Sequence, residues 1–148
     1  MKHKMLKLSQ IKEMANKINE DLGLDNNKLP SYGTGNENNP TFVTVNDDGY
    51  SFFEFNPYHN QKSQHLIINT LDINELLFEI FKNSTHFIAV NYEHENRIPN
   101  QDTRIIMFNK HIEILHSLPL KKEFIDKLND YYDYLLQLKK PEPIPEKW

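Results

Sequence analysis

The sequence predicts an α+β fold in which a small antiparallel sheet packs against about four helices. Short β-branched and aromatic runs are confined to residues 41–70, whereas apolar residues with helical spacing occur before and after that stretch. Strands and helices that are segregated along a chain are typical of α+β domains, because parallel α/β folds alternate the two. We therefore expect a three-stranded meander and four helices.

The first helix is predicted near residues 9–22, followed by a loop. Ser9 can cap the start of this helix, and Gly23 can close its end. Residues 25–40 are rich in Asn, Gly, Pro and Ser, which favour turns. The apolar stripe that predicts the helix, at steps of three and four, consists of Ile11, Met14, Ala15, Ile18 and Leu22.

The strands are predicted at residues 41–45, 50–55 and 65–70. The first two runs are joined by Asn46-Asp47-Asp48-Gly49, where glycine can supply the positive φ that a hairpin turn requires. The third run is short and β-branched, and we expect it to pair next to the second. The result is an antiparallel meander of three strands.

Three further helices are predicted from residue 72 onward. The first reaches the break at residues 96–101, the next runs from residue 102 through 115, and the last from about 121 to 138. We expect residues 1–140 to form a single α+β domain and residues 141–148 to form a short Pro-rich tail. The predicted core centre is Ile80, Phe81, Phe87 and Ile88.

Composition bounds the function. The chain has 148 residues, a net charge of -4 and no cysteine, which excludes disulfides and thiolate chemistry. Neither a signal peptide nor a membrane span is indicated, so we expect a cytoplasmic protein with no membrane partner. The acidic balance argues against a nucleic-acid partner. Residues 31–100 carry nine acids against three bases. These charges are either the solvated faces of ordinary surface elements or an acidic surface that steers a basic partner.

No catalytic, metal or cofactor site is predicted. His111 and His116 are five residues apart, a spacing that does not place two ligands on one helix face, and we expect both to be partly exposed. Gly33-Thr34-Gly35 is followed by a predicted strand rather than a helix, which is unlike a phosphate-binding loop. The pair Ser84 and His86 lacks a third group, and its proximity is ascribed to chance. The sequence therefore predicts a protein that is not an enzyme and needs no cofactor.

For Glu54 and the two arginines, the sequence does not decide between a structural and a functional role. Alternation places Glu54 on a partly apolar strand face, where it is either a structural ion-pair partner or a functional acid. Arg97 and Arg104 are the only arginines, and arginine is suited to fixed bidentate pairing. They either join the helix ends, with Asp102 capping and Glu54 or Glu93 as a partner, or anchor another protein.

The order of several short motifs resembles a known family. These motifs are Leu29-Pro30-Ser31-Tyr32-Gly33, Gly49-Tyr50 with Glu54, Asp72-x-x-Glu75-Leu76-Leu77, Asn96-Arg97 and Gln101-Asp102-x-Arg104-x-x-x-Phe108. Over about residues 8–118 the chain is similar to the bacterial immunity proteins of the Imm63 family. The chain departs from that family after Glu54, where Phe55-Asn56-Pro57 replaces a Glu-Arg-Gly-like continuation.

The resemblance implies a protein encoded beside a polymorphic toxin that binds the cognate toxin domain and neutralises it without catalysis. We expect a monomer or weak dimer. Two alternatives stay open: an enzyme with a site assembled from Glu54, His65 and Arg104, and a regulatory or structural oligomer. The predicted partner-binding residues are Glu54, Tyr58, Asp47, Asp48, Arg97, Gln101, Asp102 and Arg104.

Overall fold

The computed structural model describes residues 5–24, 28–33, 40–56 and 63–138. The predicted tail at residues 141–148 and the candidate Tyr58 lie outside the described residues. The α+β class is confirmed, with four helices and one four-stranded sheet over the described part of the chain. The elements are α1 (Leu8–Leu22), β1 (Ser31–Tyr32), β2 (Thr41–Asn46), β3 (Gly49–Asn56), β4 (Ser63–Thr70), α2 (Ile73–Glu95), α3 (Arg104–His116) and α4 (Lys122–Gln137).

The chain divides into two compact units, Met1–Phe81 and Lys82–Trp148. The first unit contains α1, the sheet and the start of α2. The second contains the rest of α2 together with α3 and α4.

The sheet has the strand order β1-β2-β3-β4. Strands β2, β3 and β4 form the predicted antiparallel meander, whereas β1 pairs parallel with β2 through Ser31 opposite Phe42 and Tyr32 opposite Val43. The predicted count of three strands is therefore wrong. A strand of two residues is too short to show an alternating pattern, and its surroundings are rich in turn-forming residues.

The predicted hairpin between β2 and β3 is confirmed. Asn46 pairs with Gly49, and the Asn46 side chain accepts a hydrogen bond of 2.8 Å from the Asp48 amide. Gly49 has a φ of 130°, a conformation that side chains other than glycine's rarely adopt. A Cβ atom at this position would lie 2.7 Å from the carbonyl oxygen of Thr70 in β4. Glycine is thus required both by the backbone and by the close approach of the neighbouring strand.

Helix α1 ends as predicted but begins one residue earlier. Gly23 adopts the left-handed conformation with a φ of 69°, and its amide donates to the Glu20 carbonyl at 2.9 Å. Ser9 lies inside the helix, so its predicted role as the cap is wrong. The side chain of Gln10 instead accepts a hydrogen bond of 2.9 Å from the Lys7 amide.

The core of the first unit lies between α1, the sheet and the start of α2. The Leu6 amide donates to the Tyr50 hydroxyl at 2.8 Å, which ties the chain before α1 to β3. The most deeply buried side chains of this unit include Ile11, Ala15, Leu29, Phe42, Val43, Phe52, Leu76, Ile80 and Phe81.

In the second unit, α3 packs against α4. The rings of Phe108 and Tyr132 stack with their centres 4.1 Å apart. Phe87 and Ile88, two members of the predicted core centre, are only half-buried, whereas Ile80 and Phe81 are fully buried. The prediction was wrong for the first pair because apolar residues spread around α2 beyond residue 86, and not all of them can face one neighbour.

Candidate functional site

The acidic candidates of the first unit lie along one hairpin. Asp47 and Asp48 form its exposed tip, and Glu54 is exposed near the other end of β3. At 3.3 to 3.4 Å per residue, roughly 20 Å of strand separates the tip from Glu54. The expectation of a semi-buried Glu54 is wrong, since its side chain points to solvent. The hairpin therefore presents two separate acidic positions rather than one cluster.

Glu54 faces His65 across the two neighbouring strands. The register of β3 and β4 places them directly opposite each other, and both side chains are exposed. Water competes for an open pair of this kind, and neither residue is enclosed as a general acid or base needs to be. Arg104, the third member of the enzyme alternative, is ion-paired with Asp102 of its own unit. The structure therefore adds no support to a site built from these three residues.

Arg97 makes a bidentate ion pair with Glu93 at the end of α2. Its Nε and Nη2 atoms donate to Oε1 and Oε2 of Glu93 at 3.0 and 2.8 Å. The side chains of Arg97 and Glu93 are only 12% and 7% exposed. The Thr103 hydroxyl also donates to Glu93, which connects α2 to the residue before α3. The hydrogen bond from Arg97 holds the pKa of the Glu93 carboxyl below its usual value.

Arg104 makes a second, more exposed pair with Asp102. Its Nε and Nη2 atoms donate to the Asp102 carboxylate at 2.9 to 3.1 Å, and its Nη1 atom donates to the Leu135 carbonyl of α4 at 3.2 Å. Asp102 also accepts the Arg104 amide at 3.1 Å, but the N-cap residue of α3 is Thr103, so the predicted N-cap position of Asp102 is wrong by one residue. Gln101, the remaining candidate of this segment, is exposed.

The two arginines therefore bind carboxylates of their own chain. Of the two partners considered for them, Glu93 binds Arg97. Arg97 is the more deeply buried guanidinium, and Arg104 keeps about a quarter of its side chain exposed. This geometry favours a role for both in fixing the segment between α2, α3 and α4.

His111 is buried, contrary to the expectation that it is partly exposed. Its Nδ1 atom lies 2.6 Å from the Tyr132 hydroxyl, and its Nε2 atom lies 3.1 Å from the Lys82 carbonyl and 3.2 Å from Thr85 Oγ1. A carbonyl can only accept, so Nε2 carries the proton and Nδ1 accepts from Tyr132. Burial lowers the pKa of His111 to about 4 and raises that of Tyr132 to about 12.

The sequence carried a signal for this buried histidine. Phe108, His111 and Leu115 recur at steps of three and four, and all three are buried in α3. The spacing of apolar residues along α3 also predicts that Ile105 and Ile112 face inward, but Ile105 is exposed and Ile112 is half-buried. A second aromatic ring, that of His86, lies edge-on to His111 with the ring centres 5.6 Å apart. The buried histidine therefore belongs to the packing of the second unit.

The part of the chain that the structure describes contains neither a candidate metal site nor a candidate membrane-spanning helix. Within that part, no group of three or more His, Asp or Glu side chains could hold a metal ion. Among its helices, none combines the length and apolarity needed to cross a membrane.

Residues 61–133 match the family model Imm63, described as Immunity protein 63. This match supports an Imm63-type protein. The match extends from just before β4 into α4, so it includes the motifs at 72–77, 96–97 and 101–108, whereas those at 29–33 and 49–54 precede it. Searches of curated proteins and of solved structures gave no match.

The Imm63 match divides the predicted binding residues into two groups. Arg97, Gln101, Asp102 and Arg104 lie inside the matched segment. Asp47, Asp48, Glu54 and Tyr58 lie before it. The acidic hairpin is thus a feature of this chain that the family match does not cover.

Proposed function

We propose that this Imm63-type protein binds a cognate bacterial toxin domain and blocks it by steric occlusion, without catalysing a reaction. The observation that carries the proposal is the match of residues 61–133 to a family described as immunity proteins. The proposed setting is the cytoplasm of the cell that makes the toxin.

The charge distribution supports a basic toxin surface as the partner. The chain has a net charge of -4, and the hairpin tip exposes two adjacent carboxylates, those of Asp47 and Asp48. Complementary charge speeds the encounter of two proteins and favours one orientation over others. The proposed contacts in the first unit are these two residues and Glu54, together with Tyr58, which is proposed from the sequence alone.

In the second unit, the segment from Arg97 to Arg104 is proposed to present a contact surface of fixed shape. The Arg97–Glu93 and Arg104–Asp102 pairs hold this segment against the ends of α2 and α4. Its exposed residues are Ile98, Pro99, Asn100 and Gln101, with Ile98 at 47% exposure. An ordered segment loses little conformational entropy on binding, which favours affinity. Asp102, Arg97 and Arg104 contribute mainly by maintaining that order.

Co-expression tests the proposal. Cells that express the toxin encoded beside the gene for this chain should survive when this protein is present and die when it is absent. The control is an inactivated toxin, which should leave growth unaffected in both cases. Death of the cells despite well-folded protein, or turnover of a small substrate by the purified protein that Glu54→Gln abolishes, would show that the proposal is wrong.

A further inference from the structure

Strand β4 is an edge strand without the usual protection against pairing. It stands last in the sheet order, and among the described residues only β3 pairs with it. Edge strands in natural proteins are commonly short or carry charged residues or proline, which discourage the addition of another strand. β4 spans eight residues, Ser63–Thr70, and its sequence contains no Asp, Glu, Lys, Arg or Pro. As far as the described residues show, its outer backbone edge is therefore open to a further strand.

The hairpin fixes which β4 amides point outward. Asn46 and Gly49 flank a two-residue turn, so the backbone groups of Gly49 bond to β2. Along an antiparallel strand, successive residues direct their backbone N–H and C=O groups to opposite sides. Those of Tyr50 and Phe52 therefore point toward β4. Their partners Thr70 and Ile68 bond to β3. The backbone groups of the intervening Asn69 then face outward. The pairing of β3 and β4 shifts register between Phe52 and Phe53. Beyond this shift, Leu66 pairs with Phe53 and Gln64 with Phe55, and the same alternation directs the backbone groups of Leu66 and Gln64 outward.

An apolar row crosses the sheet and ends at this edge. The rings of Phe42 and Phe53 stack with their centres 5.1 Å apart, and Phe53 lies opposite Leu66. Phe42 is buried, Phe53 is half-buried, and Leu66 is 48% exposed. Directly opposed side chains on neighbouring strands come within about 4.5 to 5.5 Å of each other. An added strand would place a side chain next to Leu66 and complete the burial of the row.

We infer that β4 is a strand-addition site, at which an extended apolar segment of the toxin pairs with the outer edge of the sheet. This inference rests on the proposed function and names the contact that it uses. The outward backbone amides and carbonyls of β4 can hydrogen-bond to an extended segment, which makes a β-strand the matching partner. The exposed Leu66 favours an apolar side chain on that strand. A second copy of this chain is disfavoured, because two chains with a net charge of -4 repel each other, whereas a basic toxin is attracted.

Two matched leucine variants test the site. The probe is an inactivated form of the toxin domain encoded beside the gene. Leu66→Lys places a charge at the strand edge and should weaken binding at least about 10-fold. Leu71→Lys is the control, because Leu71 is 49% exposed but lies beyond the end of β4. Melting temperatures near that of the wild type confirm that both variants fold.

Backbone readouts keep the test independent of the added charge. Gln64→Pro removes an outward amide, a change that edge strands tolerate, and should also weaken binding. Hydrogen exchange at Gln64, Leu66 and Asn69 should slow when the toxin binds, since these amides gain partners.

The outcomes separate this inference from the proposed function. If the wild-type protein protects cells and binds the toxin, but Leu66→Lys and Gln64→Pro bind equally well and the three amides exchange unchanged, strand addition is wrong and the proposed function stands. If the wild-type protein neither binds nor protects, both are wrong. If sedimentation shows a dimer of the free protein that Leu66→Lys dissociates while toxin affinity is unchanged, the occupant is a second copy and the inference is overturned.

Discussion

The Nδ1 atom of His111 in α3 lies 2.6 Å from the hydroxyl oxygen of Tyr132 in α4. With Nε2 donating toward the Lys82 carbonyl, Nδ1 must be unprotonated to accept the tyrosine proton. Protonation of Nδ1 would make it a donor, displace the tyrosine proton from this contact and place a charge in the interior. The contact between the two helices therefore depends on a neutral histidine.

The free energy of unfolding should consequently fall on acidification. The pKa of His111 is about 4 in the folded protein against 6.5 for an ordinary histidine, so between these values the unfolded chain binds a proton that the folded protein does not. Stability is complete above pH 6.5 and decreases as the pH falls toward 4, by up to about 3 kcal/mol. Glu93, whose pKa is lowered by Arg97, adds a loss in the same direction at still lower pH. Urea denaturation between pH 7.5 and 4.5 measures this dependence.

Two variants on one helix isolate the contribution of His111. His111→Gln removes the titrating group and should flatten the dependence of stability on pH between 6.5 and 4.5, although it lowers stability at neutral pH. His116→Gln alters an exposed histidine of the same helix and should retain the wild-type slope. Equal slopes for the wild type and His111→Gln would contradict the assignment.

The ion pairs on Arg97 and Arg104 should differ in their effect on stability. Arg97→Ala leaves the Glu93 carboxylate in a position that is only 7% exposed, which costs about 3 kcal/mol or more. Arg104→Ala affects a pair that is more than one-fifth exposed, and we expect a loss of about 1 kcal/mol. Denaturant melts provide both values. Losses of the same size would show that burial does not decide the strength of these pairs.

The sequence was sufficient for the elements whose signal lies in their own residues. The stripe of α1, the Gly49 turn and the break around residue 99 each follow from local periodicity or backbone preference. β1 and the orientation of His111 depend on the partners that the fold supplies. Two residues of β1 become a strand only because β2 lies beside them, and His111 turns inward because Tyr132 and the Lys82 carbonyl satisfy its ring nitrogens.

The candidate binding residues show the same limit. The sequence alone was sufficient to predict Asp47 and Asp48 as exposed acids at a turn. The sequence left the partner of Arg97 open between Glu54 and Glu93. The structure decides it, because Arg97 lies just past the end of α2 and both of its donor atoms reach the buried Glu93 carboxylate. The open edge of β4 is likewise a property of strand order, which composition does not determine.

Substitution of the hairpin glycine should destabilise the protein more than substitution of the helix-capping glycine. Gly49→Ala combines a φ of 130° with a Cβ atom 2.7 Å from the Thr70 carbonyl oxygen, and we expect a loss of about 3 kcal/mol. Gly23→Ala is the control: its φ is 69°, and no atom lies within 4 Å of an added Cβ, so the expected loss is about 1 kcal/mol. Thermal melts that rank the two in the opposite order would show that β4 can shift at Thr70 to accommodate the added Cβ atom at little cost.

Charge reversal at the hairpin tip should slow association with the toxin. Asp47→Lys with Asp48→Lys changes the net charge from -4 to 0 and replaces the exposed acids that are proposed to attract a basic surface. We expect the association rate at low salt to fall about 10-fold and the dissociation rate to change little, because steering acts before close contact forms. Stopped-flow or surface-binding kinetics with the inactivated toxin domain measure both rates.

A second pair of reversals separates a local effect from one of net charge. Asp126→Lys with Asp130→Lys on α4 also changes the net charge to 0 and alters two exposed acids, but leaves the hairpin intact. If the tip faces the toxin, the hairpin variant associates more slowly than the α4 variant at low salt. The difference should vanish near 1 M salt, where the Debye length falls to about 3 Å. Equal rates for the two variants would mean that total charge, and not the Asp47–Asp48 tip, governs the encounter.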